Sequence, residues 1–294
     1  MRVGPLDRSQ LAEATAVLAA ACAFDRAADV ADEKLFDPSP RGLPRTFGAW
    51  EGEALVGVAA VGGARIRVLA VAPTARGRGI GSALLAACEV DAKAAGETTL
   101  RTLDQPGNYL APGIDEANAE TIAWLERRGW VRASEPRMNV LIDVRDNPRV
   151  SAERAEYLIT AAARRGYEVR RAEADEIELL AAVATEFGGA WPFELERALR
   201  YVPTGVHVAL KDGIYCAFAA HDGNNQGLGW FGPTGTWPAH RGQGLGEALL
   251  VACLVDVAVT HAQCEVAWIG PRPFYDKVAG VAADRRFVLL TRAL

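Results

Sequence analysis

Two stretches of the chain place residues where they can bind an anion. Arg76-Gly77-Arg78-Gly79-Ile80-Gly81-Ser82 is matched, 165 positions later, by Arg241-Gly242-Gln243-Gly244-Leu245-Gly246-Glu247. Each leads into apolar residues at helical spacing: Ile80, Leu84, Leu85 and Cys88 in one copy, Leu245, Leu249, Leu250 and Cys253 in the other. A helix that opens on glycines exposes amides with no internal partner, adds the positive end of its dipole, and has no Cβ to hold a ligand away. The chemistry to expect is recognition of a phosphate.

Spacing narrows the choice of phosphate ligand. A dinucleotide loop needs G-x-G-x-x-G, but here the third glycine comes one residue early, with Ser82 and Glu247 in its place. A Walker loop needs a lysine that neither copy has. What remains is Arg-x-x-Gly-x-Gly after Val71-x-Pro73 or Thr236-x-Pro238. That pattern resembles the acetyl-CoA loop of the GNAT N-acetyltransferase superfamily, and short segments such as WFGPTG and AWIGPRPFY resemble its tandem two-domain bacterial members.

The resemblance implies a function and a set of site residues. Acetyl-CoA, or another short acyl-CoA, would be the donor, its pyrophosphate cradled by Arg76 to Ser82 and by Arg241 to Glu247. The backbones of Leu69 and Val71, or of Thr234 and Thr236, would hold the pantetheine arm, and one amide there would stabilise the oxyanion. The acceptor would be a primary amine of a small molecule or polypeptide. A tyrosine in a Phe-Tyr-x-Lys setting commonly protonates the departing thiolate, and Phe274-Tyr275-Asp276-Lys277 matches it. An unperturbed phenol is protonated at neutral pH and can donate. In the first half the same register puts Leu125 in the tyrosine position, which assigns the chemistry to the second half, with Tyr109 as a substitute donor if the first half works. For the base, Glu186, His221 and Asp222 border the expected cleft, with water as an alternative, and His240 reads as loop surface or phosphate neighbour. No Cys/His/Asp spacing suggests a metal.

The elements that must position these residues repeat as well. Val68 to Val71 is β-forming and ends at Pro73. Upstream, Leu11, Ala14, Leu18 and Cys22 have helical spacing, and TFGAW and ALVGVAAV form a hairpin around Glu51-Gly52-Glu53. Downstream, TTLRTL reads as a strand, Asp115 as the cap of a helix through Leu125, and MNVLIDV as the strand that closes the first domain. The second half repeats the plan, with a strand pair turning at Asp212-Gly213 and RRFVLLTRAL as its final strand. The expected fold is α/β (α+β): two tandem GNAT-like domains, 1–146 and 151–294, each a mixed, mostly antiparallel sheet flanked by helices.

Composition bounds the remainder. A chain of 294 residues, half of them apolar, suits two domains that each bury a core. A net charge of −5 argues against nucleic acid and membrane as partners. Five cysteines without paired spacing read as free thiols in a reducing cytoplasm, and the N-terminus lacks a signal-peptide core. Trp191, Trp230, Trp237 and Trp268 read as packing before they read as an acceptor pocket. A monomer acting as an internal pseudo-dimer and a homodimer both fit. The rival reading is a non-catalytic acyl-CoA-binding or sensing protein.

Overall fold

The computed structural model describes residues 1–135 and 137–294. In chain order the elements are β1 (Arg2–Pro5), α1 (Leu11–Ala21), α2 (Ala31–Phe36), β2 (Arg45–Glu51), β3 (Ala54–Gly62), β4 (Arg65–Val71), α3 (Ile80–Ala94), β5 (Thr99–Thr102), β6 (Ile114–Asp115), α4 (Ala119–Glu126) and β7 (Val131–Arg132). They continue with β8 (Arg137–Asp143), α5 (Ala152–Ala163), β9 (Glu168–Arg171), α6 (Ile177–Glu186), α7 (Trp191–Leu199), β10 (Val206–Lys211), β11 (Ile214–His221) and β12 (Trp230–Thr236). The chain ends with α8 (Leu245–Ala258), β13 (Gln263–Val266), α9 (Arg272–Ala279), β14 (Ala283–Val288) and β15 (Leu290–Ala293). None of the helices among the described residues is long and apolar enough to cross a membrane.

These elements form two compact units, Met1–Arg137 with Arg286–Leu294, and Met138–Arg285. The sheet of the first unit runs β1-β2-β3-β4-β5-β15-β7 and is antiparallel except where β4 meets β5. In the second unit the order β8-β13-β12-β11-β10-β9 is antiparallel except at β12 and β13. In the first unit α3 packs over β3, where a Cβ at Gly57 would stand 2.9 Å from Leu84 and 3.1 Å from Ile80. The bare glycine seats the helix that carries the first glycine loop.

The unit boundaries differ from 1–146 and 151–294. The strand at 138–144 was expected to close the first domain, yet β8 pairs with β13 in the second unit and buries Val140 and Ile142 in that core. Conversely, β15 pairs with β5 in the first unit, and Val288 and Leu290 belong to that unit's core. Alternating apolar residues fix which face of a strand is buried and leave open which sheet edge it joins. The helix expected from Asp115 begins at Ala119 instead, capped by the Asn118 side chain, while Asp115 lies in β6. The strand pair at Asp212-Gly213 is present as β10 and β11, with positive φ at both turn residues as a type I′ turn requires.

Leu290 is fully buried. Replacing it with alanine should destabilise the first unit by about 2–5 kcal/mol. Hydrogen exchange should show the β5 amides losing protection while those of β13 keep theirs.

Candidate active site

The first unit's site begins with a bulge. Val61 of β3 faces Ile66 and Ala60 faces Val68, so β4 holds one extra residue, Arg67. Its fully buried guanidinium donates to the Asp37 and Gly42 carbonyls at 2.6 and 3.4 Å. A bulge bends its strand and increases the local twist. Before it, β4 pairs with β5 at Arg65 and Ile66; beyond it, the two strands part. Because the Ala72 amide donates to the Val56 carbonyl, Val68 and Ala70 keep their hydrogen bonds with β3. Leu69 and Val71 therefore turn their backbone groups to the open side.

The glycine loop follows. Gly77 and Gly79 have φ of +77° and +82°, a region that only glycine enters cheaply. Gly81 serves otherwise: a Cβ there would lie 3.4 Å from the Trp124 ring of α4. The first helical hydrogen bond runs from the Ala83 amide to the Gly79 carbonyl, leaving the Ile80, Gly81 and Ser82 amides facing outward. Arg76 is fastened at the strand's end, its Nε donating to the Val71 carbonyl at 3.3 Å and Nη2 to the Ala21 carbonyl at 3.2 Å. Arg128 stacks on Trp124, 4.1 Å from the ring centroid, and donates to Ser82 Oγ at 3.1 Å.

A cleft of about 930 Å³ runs along this assembly. Leu69, Val71, Arg76, Gly77, Gly79, Ile80, Gly81 and Ser82 all line it, with α4 on the far side. Arg78 does not; its guanidinium pairs with Glu51 and the Thr74 carbonyl. Ile80 turns its side chain into the core and offers only its amide. Arg127, Arg128 and Cys22 line the cleft as well, and sequence reading singled none of them out. Trp124 in α4 and Arg128, four positions on in the turn that follows it, carried the legible signal for a stacked pair. Burial, reinforced by Asp25 and opposed by Arg76, pushes the Cys22 thiol up to about 12, so it stays protonated.

The second unit repeats the device with changes. β12 gains one residue against β11 between Phe231 and Thr234, and its parallel pairing with β13 ends after Phe231. The Trp237 amide donates to the Cys216 carbonyl, so Thr234 and Thr236 turn their backbones to the open side, and the Thr234 hydroxyl donates to the Phe218 carbonyl. Gly242 and Gly244 have φ of +75° and +71°, and Arg241 Nε donates to the Thr236 carbonyl at 3.2 Å. Gln243 is exposed, Leu245 is buried, and a Cβ at Gly246 would lie 3.6 Å from Phe274. Glu247, where the first copy has Ser82, places a carboxylate in the first helical turn and pairs with Arg154 at 2.8 Å.

Tyr275 is buried in the second unit's core beside Phe274. Burial pushes its phenol up to about 12. Tyr109 is buried in the first unit, and Glu186 is exposed at the end of α6. His240 meets the Tyr167 hydroxyl at 3.1 Å. Trp191 and Trp237 pack with Phe187 and Phe218, and Trp230 is buried. All five cysteines are free thiols.

His221 and Asp222 belong to a separate network. Asp256 accepts from His207 at 2.7 Å and Arg171 at 2.6 Å and lies 3.5 Å from His221, whose Nδ1 meets Asp222 at 2.9 Å. Burial opposes charge on His221, but the hydrogen bonds and charges of Asp222 and Asp256 outweigh it and raise its pKa to about 9. Burial likewise opposes the Asp256 charge, and hydrogen bonds from His207, His221 and Arg171 hold that carboxyl far below the usual range.

Residues 44–132 match the acetyltransferase (GNAT) domain family. Along 99% of this chain and 98% of its own, a tandem GNAT protein from the clavulanic acid biosynthesis pathway superposes with a TM-score of 0.68 at 21% identity. This chain has the fold of the tandem GNAT proteins. A GCN5-related glucosamine N-acetyltransferase region of a fungal multi-domain GH3 β-N-acetylglucosaminidase aligns over 99% of the chain at 16% identity and a TM-score of 0.76. This chain spans 38% of that fungal chain. A GCN5-related N-acetyltransferase from Sphaerobacter thermophilus aligns over 99% of this chain and 95% of its own, at 15% identity and a TM-score of 0.63. At such identities the likeness is one of fold. Comparison with curated proteins returns no match.

The raised pKa of His221 fixes a sign. Its contribution to stability is complete below the unfolded value near 6.5 and is lost as pH rises through about 9. Thermal denaturation should show the second unit losing about 3 kcal/mol across that window. His221→Asn should flatten the slope.

Proposed function

We propose that this protein is an N-acyltransferase that carries an acetyl or other acyl group from acyl-CoA to a primary amine of a small molecule or polypeptide, with the donor bound in the first unit's cleft. The observation that carries the reading is the continuity of that cleft from the glycine loop along the open edge of β4 to α4. The outward amides of Ile80 to Ser82, with Arg76, Arg127 and Arg128 at the wall, suit a pyrophosphate. The outward backbone groups of Leu69 and the outward Val71 amide suit an amide-bearing arm and an oxyanion. In the transfer the amine nitrogen bonds to the acyl carbon, the carbon–sulfur bond breaks, and the proton shed by nitrogen ends on the thiolate. Leu125, buried in the tyrosine register, supplies no proton, so that proton travels through solvent at the mouth.

A second reading places transfer in the second unit, with the Arg241 to Glu247 loop as donor site and Tyr275 as acid. It is favoured by the phenol, which burial keeps protonated well above neutral pH. Glu247 weighs against it, because a carboxylate in the first helical turn repels the anion that the turn would bind.

The swap of these two residues separates the readings. Ser82→Glu should weaken acetyl-CoA binding in calorimetry at least tenfold with the circular dichroism spectrum unchanged, and should abolish amine-dependent thiol release. Glu247→Ser should leave the principal site intact. If Ser82→Glu has no effect while Tyr275→Phe stops turnover, the second unit holds the chemistry; binding without thiol release for any amine would make the protein a sensor of acyl-CoA.

A further inference from the structure

We infer that the donor site of the first unit is built for an acyl-CoA with an apolar chain longer than acetyl, hexanoyl-CoA being the representative case. The inference rests on the reading of that cleft as the donor site. Arg76 is tied to the Val71 carbonyl, which fixes the phosphate end of the cleft at the C-terminal end of β4. Five residues back along the strand, about 16 Å at ~3.3 Å per residue, lies Ile66, where β4 leaves β5. A ligand laid along the open edge brings its acyl carbon to that end.

The cleft does not stop there. Ile66, Val68, Leu103, Leu110, Ile114 and Leu125 wall a recess at this end. Leu103 aside, each is at most 5% exposed although it lines the cleft, so this end of the cleft is walled by buried apolar side chains. Leu125 contributes a methyl-bearing surface where the tyrosine register would have brought a hydroxyl. Two polar groups nearby are already committed. The Thr102 hydroxyl accepts from the Leu290 amide at 3.1 Å and donates to its carbonyl at 3.5 Å. Asn118 Oδ1 accepts from the Thr121 amide to cap α4.

The charged lining residues stand elsewhere. Asp25, Arg127 and Arg128 gather with Arg76 at the phosphate end, and Glu120 is exposed on the solvent side of α4. An ammonium or hydroxyl pushed into the recess would lose its water and find no partner, whereas each methylene placed there leaves water for an apolar wall. The recess therefore suits the donor's chain, and the amine approaches from the Glu120 side.

Calorimetric titration of the full chain with CoA, acetyl-CoA, butyryl-CoA and hexanoyl-CoA tests this. Burial of a methylene, about 0.8 kcal/mol, corresponds to about fourfold per carbon, so hexanoyl-CoA should bind at least tenfold more tightly than acetyl-CoA, with butyryl-CoA between. Val68→Phe on β4 and, separately, Ile114→Phe on β6 should each erase the difference between hexanoyl-CoA and acetyl-CoA; two positions on different strands, each checked by circular dichroism, guard against one variant failing to fold. Equal affinities for all four ligands in the wild type would overturn the chain-length inference and leave the donor site standing. If no CoA species binds, the reading of the cleft itself fails.

Discussion

The parting of β4 from β5 is the constraint on which the first unit's site depends. Two neighbouring strands in a sheet ordinarily satisfy each other's backbone groups, and unpaired buried groups are costly. Here the pairing stops after Ile66 and Thr102, and the bulge at Arg67 bends β4 away just as its outward backbone groups would have needed a partner. A ligand with its own amides is the natural replacement. Arg67 holds the bulge from the buried side, and Gly57 lets α3 sit low enough to present its first turn at the end of the open edge.

The same device in the second unit uses different residues. Phe231 to Thr234 supplies the extra residue, and Pro233 stands where a missing N–H costs no ladder bond. Arg241 repeats the Arg76 contact with the strand's last carbonyl. The copies diverge at the third residue of the helix, where Ser82 accepts a hydrogen bond from Arg128 while Glu247 pairs with Arg154. A neutral hydroxyl adds no charge to the first turn of α3, whereas Glu247 adds a carboxylate to the first turn of α8.

Local chemistry was legible in the sequence, and long-range pairing was not. The glycines, the strand ahead of them and the helix behind them are set by residues within one short window, and the type I′ turn at Asp212-Gly213 likewise. Leu69 and Val71, named through the family resemblance, do face the open edge by register. Arg67 escaped notice because an arginine inside an alternating strand reads as solvent-facing, and only the fold reveals that its buried guanidinium donates to two loop carbonyls. The exchange of closing strands was also invisible, since MNVLIDV and VLLTRAL carry the same alternation and nothing in either names its sheet. His221 and Asp222, read as possible cleft residues, instead pair with each other, and His221 also faces Asp256 of α8, a grouping that no sequence spacing announces.

The central claim is that the first unit's open β4 edge and glycine loop hold the donor. Hydrogen exchange with and without saturating acetyl-CoA addresses it residue by residue, because each backbone amide engaged by a ligand slows individually. Slowed exchange at Leu69, Val71 and Gly77 to Ser82, with Thr234 to Glu247 unchanged or weakly affected, is the expected outcome. Protection confined to Thr234 to Glu247 would contradict the account and give the second unit the working site.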